Sequence, residues 1–242
     1  MKPQPQPSTH EPSAVVDRYA RRDRNRDAAR YSPLNPAVYL ATQERERALI
    51  RLIHTAGLEP VANKQVLEIG CGSGGNLLQL IKLGFQPANL VANELLEERL
   101  ATARTLLPPA VTLIPGDASV LPFADGTFDI VLQSTVFSSL LDQDFQDLLA
   151  ARMWQWVKPG GGILWYDFTF NNPRNPDVRG MPLQRVRALF PAAPIRAWRL
   201  TARPPDQPRR NPAPSQPIPR FQPAAGPRTH LLCWIAKPAP PP

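Results

Sequence analysis

The residues with the most chemistry in them lie early in this 242-residue chain. VLEIGCGSGGN (66–76) is a short apolar run holding one acid, Glu68, that passes into glycines at 70, 72, 74 and 75 and then the amphipathic stretch NLLQLIKL. That order predicts a strand, a tight turn and a helix start, with the turn's backbone N–H groups presented to a ligand. Gly70, Gly72 and Gly75 satisfy G-x-G-x-x-G, and Glu94 follows at roughly the 20-residue distance of a ribose-binding acid. The chemistry implied is the binding of a nucleotide-type cofactor. Two cofactor families use such a turn, and spacing does not separate them.

Three further blocks follow in order. They are LVANELLEERLATAR (90–104), LIPGDASVLPFADGTFDIVLQSTVF (113–137) and WVKPGGGILWYDF (156–168). Together with the run E-x-G-x-G-x-G, they resemble class I S-adenosylmethionine-dependent methyltransferases of the small-molecule type over residues 65–170. The resemblance implies an α/β fold: a Rossmann-like three-layer αβα sandwich around a seven-stranded, mostly parallel sheet with an antiparallel last strand. It also implies S-adenosyl-L-methionine as cofactor and methyl transfer to a small-molecule acceptor such as a sugar, a lipid or another metabolite. Two rivals are an NAD(P)-dependent oxidoreductase on the same turn and a non-catalytic binding module on the same fold. Asp117 and the KPGGG turn argue against the first.

By the same resemblance, Gly70, Gly72 and Gly74 seat the amino-acid end and ribose of the cofactor, and Glu68 orients the turn. Glu94 accepts from the ribose diol, which one carboxylate does with its two oxygens. Leu95 packs on the adenine, Asp117 accepts from its exocyclic amine, and the Ala118 N–H donates to a ring nitrogen. Asp117 also fits a turn-capping acid. Gln133 joins the cofactor set and, with Ser134 and Thr135 after the fourth strand, is also among the candidates for a base.

A sulfonium donor is already activated, so the protein mainly aligns the reacting atoms and excludes water. A hydroxyl acceptor benefits from a base, and Asp167, after the fifth strand, is the candidate. Tyr166, Asn171, Asn172, Arg174 and Asn175 form the expected acceptor pocket. Tyr19, Tyr31 and the arginines between them fit a lid or, equally, a solvated helix.

The elements that must position these residues can be read from periodicity. A helix is expected over 35–58, covering one edge of the sheet and ending at Gly57. Strands are expected at 65–69, 90–93, 111–114, 128–133, 162–168, 194–201 and 231–237. Helices are expected at 75–83, 96–106, 142–157 and 182–190. Alternating strands and helices place ligands at the carboxyl ends of the strands.

Charge and proline divide the chain further. Residues 1–31 carry 7 basic and 4 acidic groups, 174–228 carry 11 and 2, and 32–173 carry 9 and 14. The body is thus acidic and its flanks are basic, which suits a solvated tail, an anionic acceptor or peripheral contact with an acidic membrane surface. Thirteen of the 31 prolines lie in 201–242, and PPDQPRRNPAPSQPIPRFQPAAGP (204–227) excludes a regular helix or central strand. Its single aromatic, Phe221, is too little for nucleic-acid stacking, so no nucleic-acid partner is expected. The organisation read from this is a basic N-terminal segment or lid (1–34), a core (35–203), a Pro/Arg-rich linker (204–228) and a last strand with a proline tail (229–242). No apolar run approaches the roughly 18 to 20 residues of a membrane span, and the N-terminus lacks a signal core, so a cytoplasmic protein is expected. Cys71 and Cys233 have no metal-ligand spacing, so no metal site is expected. Oligomeric state is not legible.

Overall fold

The computed structural model describes residues 10–24, 32, 34–171, 173, 175–200 and 228–239. Seven strands make one sheet in the order β3-β2-β1-β4-β5-β7-β6. They are β1 (Val66–Ile69), β2 (Leu90–Glu94), β3 (Thr112–Pro115), β4 (Phe128–Ser134), β5 (Val157–Phe168), β6 (Ile195–Leu200) and β7 (His230–Ala236). The first five run parallel, while β7 pairs antiparallel with both β5 and β6. β1 is buried at all four positions, as expected of a central parallel strand covered on both faces. Chain order reverses at β1, where one crossover leads to β2 and a later one to β4. Such a reversal opens a crevice at the carboxyl ends of the strands.

Among the described residues, six α-helices accompany the sheet: α1 (His10–Arg24), α2 (Pro36–Thr55), α3 (Gly75–Lys82), α4 (Glu97–Leu106), α5 (Gln143–Trp156) and α6 (Leu183–Leu189). Their ends follow local chemistry. Asn35 caps α2, accepting from the Ala37 N–H, with Pro36 at the first helical position. Asp142 caps α5 through the N–H groups of Asp144 and Phe145. Two apolar clusters result. One, on the side of α1, α5 and α6, centres on Phe137, Met153, Trp156 and Trp165. The other, on the side of α2, α3 and α4, centres on Leu52, Leu77, Leu100 and Trp234.

α2 lies toward the expected edge of the sheet: it packs over β6 and β7, with Leu49, Leu52 and Ile53 in the second cluster. The structure departs from the sequence expectation at β5. β5 starts at Val157, directly after α5, with a register shift against β4 between Phe128 and Ile130 absorbing the KPGGG turn. The N-terminal helix, His10–Arg24, lies within the segment or lid expected over 1–34. The 29 residues between β6 and β7 contain the proline linker; 204–227 and Tyr31 lie outside the described residues. No helix among the described residues is long and apolar enough to cross a membrane.

Candidate active site

A cavity of about 260 Å³ opens at the carboxyl ends of β1, β2 and β4, where chain order reverses. Its floor is the glycine turn. Gly70 has φ +61°, and a Cβ there would meet Val136 Cγ2 at 2.5 Å; Gly72 has φ +56°, with open space where its side chain would be. A side chain is excluded at the first by packing and strain, while the second leaves backbone bare to a ligand. Gly74 also lies at positive φ, but a Cβ there would strike Leu107 and the residue does not line the cavity; its close neighbour is α4's end, which makes it a packing glycine at the start of α3.

The turn is locked to β2. Cys71 N–H donates to the Asn93 carbonyl at 2.9 Å, and Gly72 N–H donates to Glu94 Oε2 at 2.7 Å. The other oxygen of Glu94 accepts from Leu96 N–H at 3.0 Å. Glu94 thus lines the cavity while tying the turn to α4, with 6 % of its surface exposed. Asn93 Nδ2 donates to the carbonyls of Ile114 and Gly116, fixing the β3 end beside the β2 end. That places Asp117, Ala118 and Leu95 on the same cavity wall as Glu94. Asp117 accepts from both N–H and Oγ of Ser119 at 2.8 Å, so it caps its turn and faces the cavity at once.

The fourth-strand wall is strained. Thr135 is the non-glycine residue at positive φ (59°) among the described residues, and it lines the cavity with Ser134, Val136 and Ser139. Such a conformation persists only when neighbours over-determine it. Gln133, fully buried, accepts from Val136 N–H at 3.1 Å and donates to the Tyr166 carbonyl at 3.3 Å; it supports this wall from behind rather than lining it. Asp167 supports it too. Its carboxylate accepts from Ser138 N–H at 3.1 Å and Phe168 N–H at 2.9 Å, none of its surface is exposed, and it does not line the cavity. Burial pushes its pKa up to about 7.

Glu68 is likewise fully buried beneath the turn. It accepts from Asn76 Nδ2 at 2.6 Å, its second oxygen has no partner, and burial pushes it up to about 8. Cys71 lines the cavity with its thiol pushed well above the usual range by burial, as suits an inert packing residue.

The acceptor residues read from sequence do not converge. Tyr166 lines a second, smaller cavity; Asn171 lines a third, with Thr169, Arg179 and Arg185, and accepts from Gly180 N–H. Asn175 accepts from Asp177 N–H within its own loop. Asn172 and Arg174 lie outside the described residues.

Of the roof, sequence reading named Tyr19 and missed the rest. Pro12, Val15 and Tyr19 of α1 line the cavity opposite the turn, as do Phe145 and Leu149 of α5. A buried Glu11–Arg18 pair anchors α1: Glu11 accepts from Leu141 N–H, and Arg18 donates to the Ser139 carbonyl at 3.1 Å. Tyr19 OH lies 3.2 Å from Ser139 Oγ, and the guanidinium groups of Arg22 and Arg99 sit 4.7 and 4.3 Å from its ring centroid. The spacing 12, 15, 19 is a helical stripe, a signal available in the sequence.

Residues 66–161 match the methyltransferase domain family. The chain is 36% identical over 152 residues to phthiotriol/phenolphthiotriol dimycocerosates methyltransferase of Mycobacterium tuberculosis, covering 60% of this chain and 54% of that protein. It is also 36% identical over 128 residues to fatty-acid O-methyltransferase of Mycolicibacterium smegmatis, covering 52% and 45%. The chain therefore spans about half the length of these curated relatives. The glycopeptide N-methyltransferase MtfA, solved with sinefungin, shares the fold at a TM-score of 0.53 and 20% identity, covering 81% and 93%. Residues 66–161 thus match a methyltransferase domain, set on a sheet of order β3-β2-β1-β4-β5-β7-β6.

Proposed function

We propose that this chain transfers a methyl group from S-adenosyl-L-methionine to an oxygen of a small, largely apolar acceptor. The observation that carries the donor half is convergence: Gly70, Gly72, Glu94, Leu95, Asp117 and Ala118, from three separate stretches of sequence, line one cavity. Their chemistry fits the parts of the donor. Bare backbone at Gly72 suits the amino-acid end, a carboxylate suits a diol, and an apolar side chain beside a capped acid suits an adenine. The acceptor half rests on the relatives, whose names specify phthiotriol or phenolphthiotriol dimycocerosates and a fatty acid.

When bound, the donor supplies a methyl group already activated by positive sulfur. The chain's own residues then orient and exclude water. Glu94 holds the turn and one end of the ligand in a single rigid unit, because the same carboxylate bonds Gly72 and Leu96. Tyr19 and Val15 cover the opposite side, so α1 acts as the cover read from the N-terminal segment. Asp167 serves as a positioning residue: it fixes the Ser138 amide behind the strained wall, which leaves it no free face toward an acceptor.

Calorimetry with S-adenosylhomocysteine and with NAD tests the reading. Binding of the first and not the second is expected, with binding lost in Glu94→Ala. Tight NAD binding, or undiminished S-adenosylhomocysteine binding by that variant, would overturn it.

A further inference from the structure

Beside the donor cavity lies a smaller one, of about 30 Å³, between α2, α3, the carboxyl ends of β4 and β5 and the amino end of β7. Asn76 and Ser134 line both, so the two cavities share a wall. Leu132, Leu164 and Leu232 make the smaller space apolar, yet two donors short of acceptors border it. Arg45 lies over the Tyr166 ring at 5.2 Å and reaches Gln79 Oε1 only at 3.4 Å. Among the described residues, no carboxylate stands within ion-pair distance of it. Gln79 Nε2 is buried without a partner. A partly buried guanidinium with one long hydrogen bond and a buried amide nitrogen with none thus border an apolar slot, and a ligand bearing negative oxygens satisfies both.

The surrounding groups leave room for that charge. Glu68, which senses Arg45 and bonds Asn76, is held neutral at pH 7 by burial. His230, stacked on Tyr166 at 5.2 Å, is pulled down to about 4 by burial and by Arg45, so it carries no charge either. Tyr166 is pushed up to about 12. Glu44 on α2 and Asp167 on β5 are the acids whose fields reach Tyr166.

We propose, building on the methyltransferase reading, that this slot receives the head of the acceptor and that the head is a carboxylate, held by Arg45 and Gln79. The product is then a methyl ester. One carboxylate oxygen forms the bond to the methyl carbon as the methyl–sulfur bond breaks; the electron pair stays on sulfur, leaving a neutral thioether, and no proton moves. This accounts for a site whose best-placed acid, Asp167, is sealed behind its wall: an anionic nucleophile needs no base.

The test uses the full chain saturated with S-adenosylhomocysteine and titrated with octanoate or 1-octanol, alongside tritium transfer from the donor to octanoate. Wild type is expected to bind and methylate octanoate and to bind octanol at least about tenfold more weakly. Arg45→Met should weaken octanoate about 30-fold, with partial recovery in Arg45→Lys and S-adenosylhomocysteine affinity held within about twofold. Gln79→Leu, which removes the neutral donor and keeps the guanidinium, gives a second and milder probe if Arg45→Met does not fold. Equal binding of octanol, no octanoate binding to the loaded wild type, or octanoate binding indifferent to both variants would overturn the proposal. So would an Arg45→Met variant that loses S-adenosylhomocysteine but keeps 5′-methylthioadenosine, because the slot would then hold the donor's own carboxylate. Failure of wild type to bind S-adenosylhomocysteine at all would instead sink the methyltransferase reading beneath it.

Discussion

Two acids, Glu94 at the end of β2 and Asp167 near the end of β5, occupy similar places in the strand topology and have opposite fates. Glu94 meets two backbone N–H groups and still lines the donor cavity. Asp167 meets two as well, but lies wholly beneath the turn that follows β4. The difference comes from what the chain does next. After β2, the chain passes into α4 away from the crevice, so the carboxylate stays at its edge. Across β5, the 137–139 turn folds over the strand end and closes it, with Arg179 N–H bonding the Ser138 carbonyl from outside. An acid at a strand end is therefore a candidate for chemistry only when the neighbouring loop leaves it uncovered.

The comparison breaks most visibly in ligand binding. Glu94→Ala removes a ligand acceptor and the clamp on Gly72 together, and S-adenosylhomocysteine affinity should fall about a hundredfold by calorimetry, whereas Asp167→Asn should change it less than about threefold. Equal losses would mean that both acids touch the ligand.

Next in size is stability. Asp167→Ala strands the buried Ser138 and Phe168 amides and should cost about 2 kcal/mol in urea unfolding, because unpaired buried donors carry their full desolvation penalty. A loss below about 0.5 kcal/mol would show that the wall does not depend on this carboxylate.

A pH series sharpens the contrast further. Glu68 and Asp167 have folded pKa values of about 8 and about 7 against ordinary values of 4.5 and 3.8. Between those limits the folded state holds protons that the unfolded state has lost, so stability is full below the lower value and declines as pH rises through the upper one. His230, lowered from 6.5 to about 4, works in the opposite sense, costing stability as pH falls from 6.5. From pH 7 to 8 Asp167 gives up the remainder of its proton while Glu68 still holds half or more of its own, so Glu68 is the larger contributor of the three. Thermal melts from pH 7 to 8 should therefore show a declining Tm in wild type and a flatter profile in Glu68→Gln; parallel profiles would remove Glu68 as the cause.

The smallest effect is expected at the roof. Tyr19→Phe loses one half-buried hydroxyl contact with Ser139 and keeps the ring between its two guanidinium groups, so affinity for S-adenosylhomocysteine should drop no more than about threefold. Tyr19→Ala should drop it further, and no change in either would place α1 off the ligand.

The donor side was legible because its signals are local. A strand-borne acid, a run of glycines and an acid at the next strand's end each carry meaning within a dozen residues, and Glu94 and Asp117 stand on one cavity as that reading required. The acceptor side was not, because polar residues after a strand end look alike whether they face a ligand or one another. Asn171 and Asn175 bond their own loop, and Tyr166 points to the second cavity. Arg45 could not be singled out from the charges at 44–47, since only the packing of α2 on the sheet brings it over Tyr166.

The sequence by itself determined the alternation of strands and helices, the glycine turn and the strand-end acids that line the cavity, since hydrophobic period and backbone freedom are properties of neighbours along the chain. Tertiary structure alone decided which polar groups meet across 30 to 150 residues: α1 roofing the cavity, Asp167 sealed beneath the Ser138 turn, and Arg45 left facing an apolar slot. Burial and partnership set those roles, and both depend on which surfaces the fold brings together.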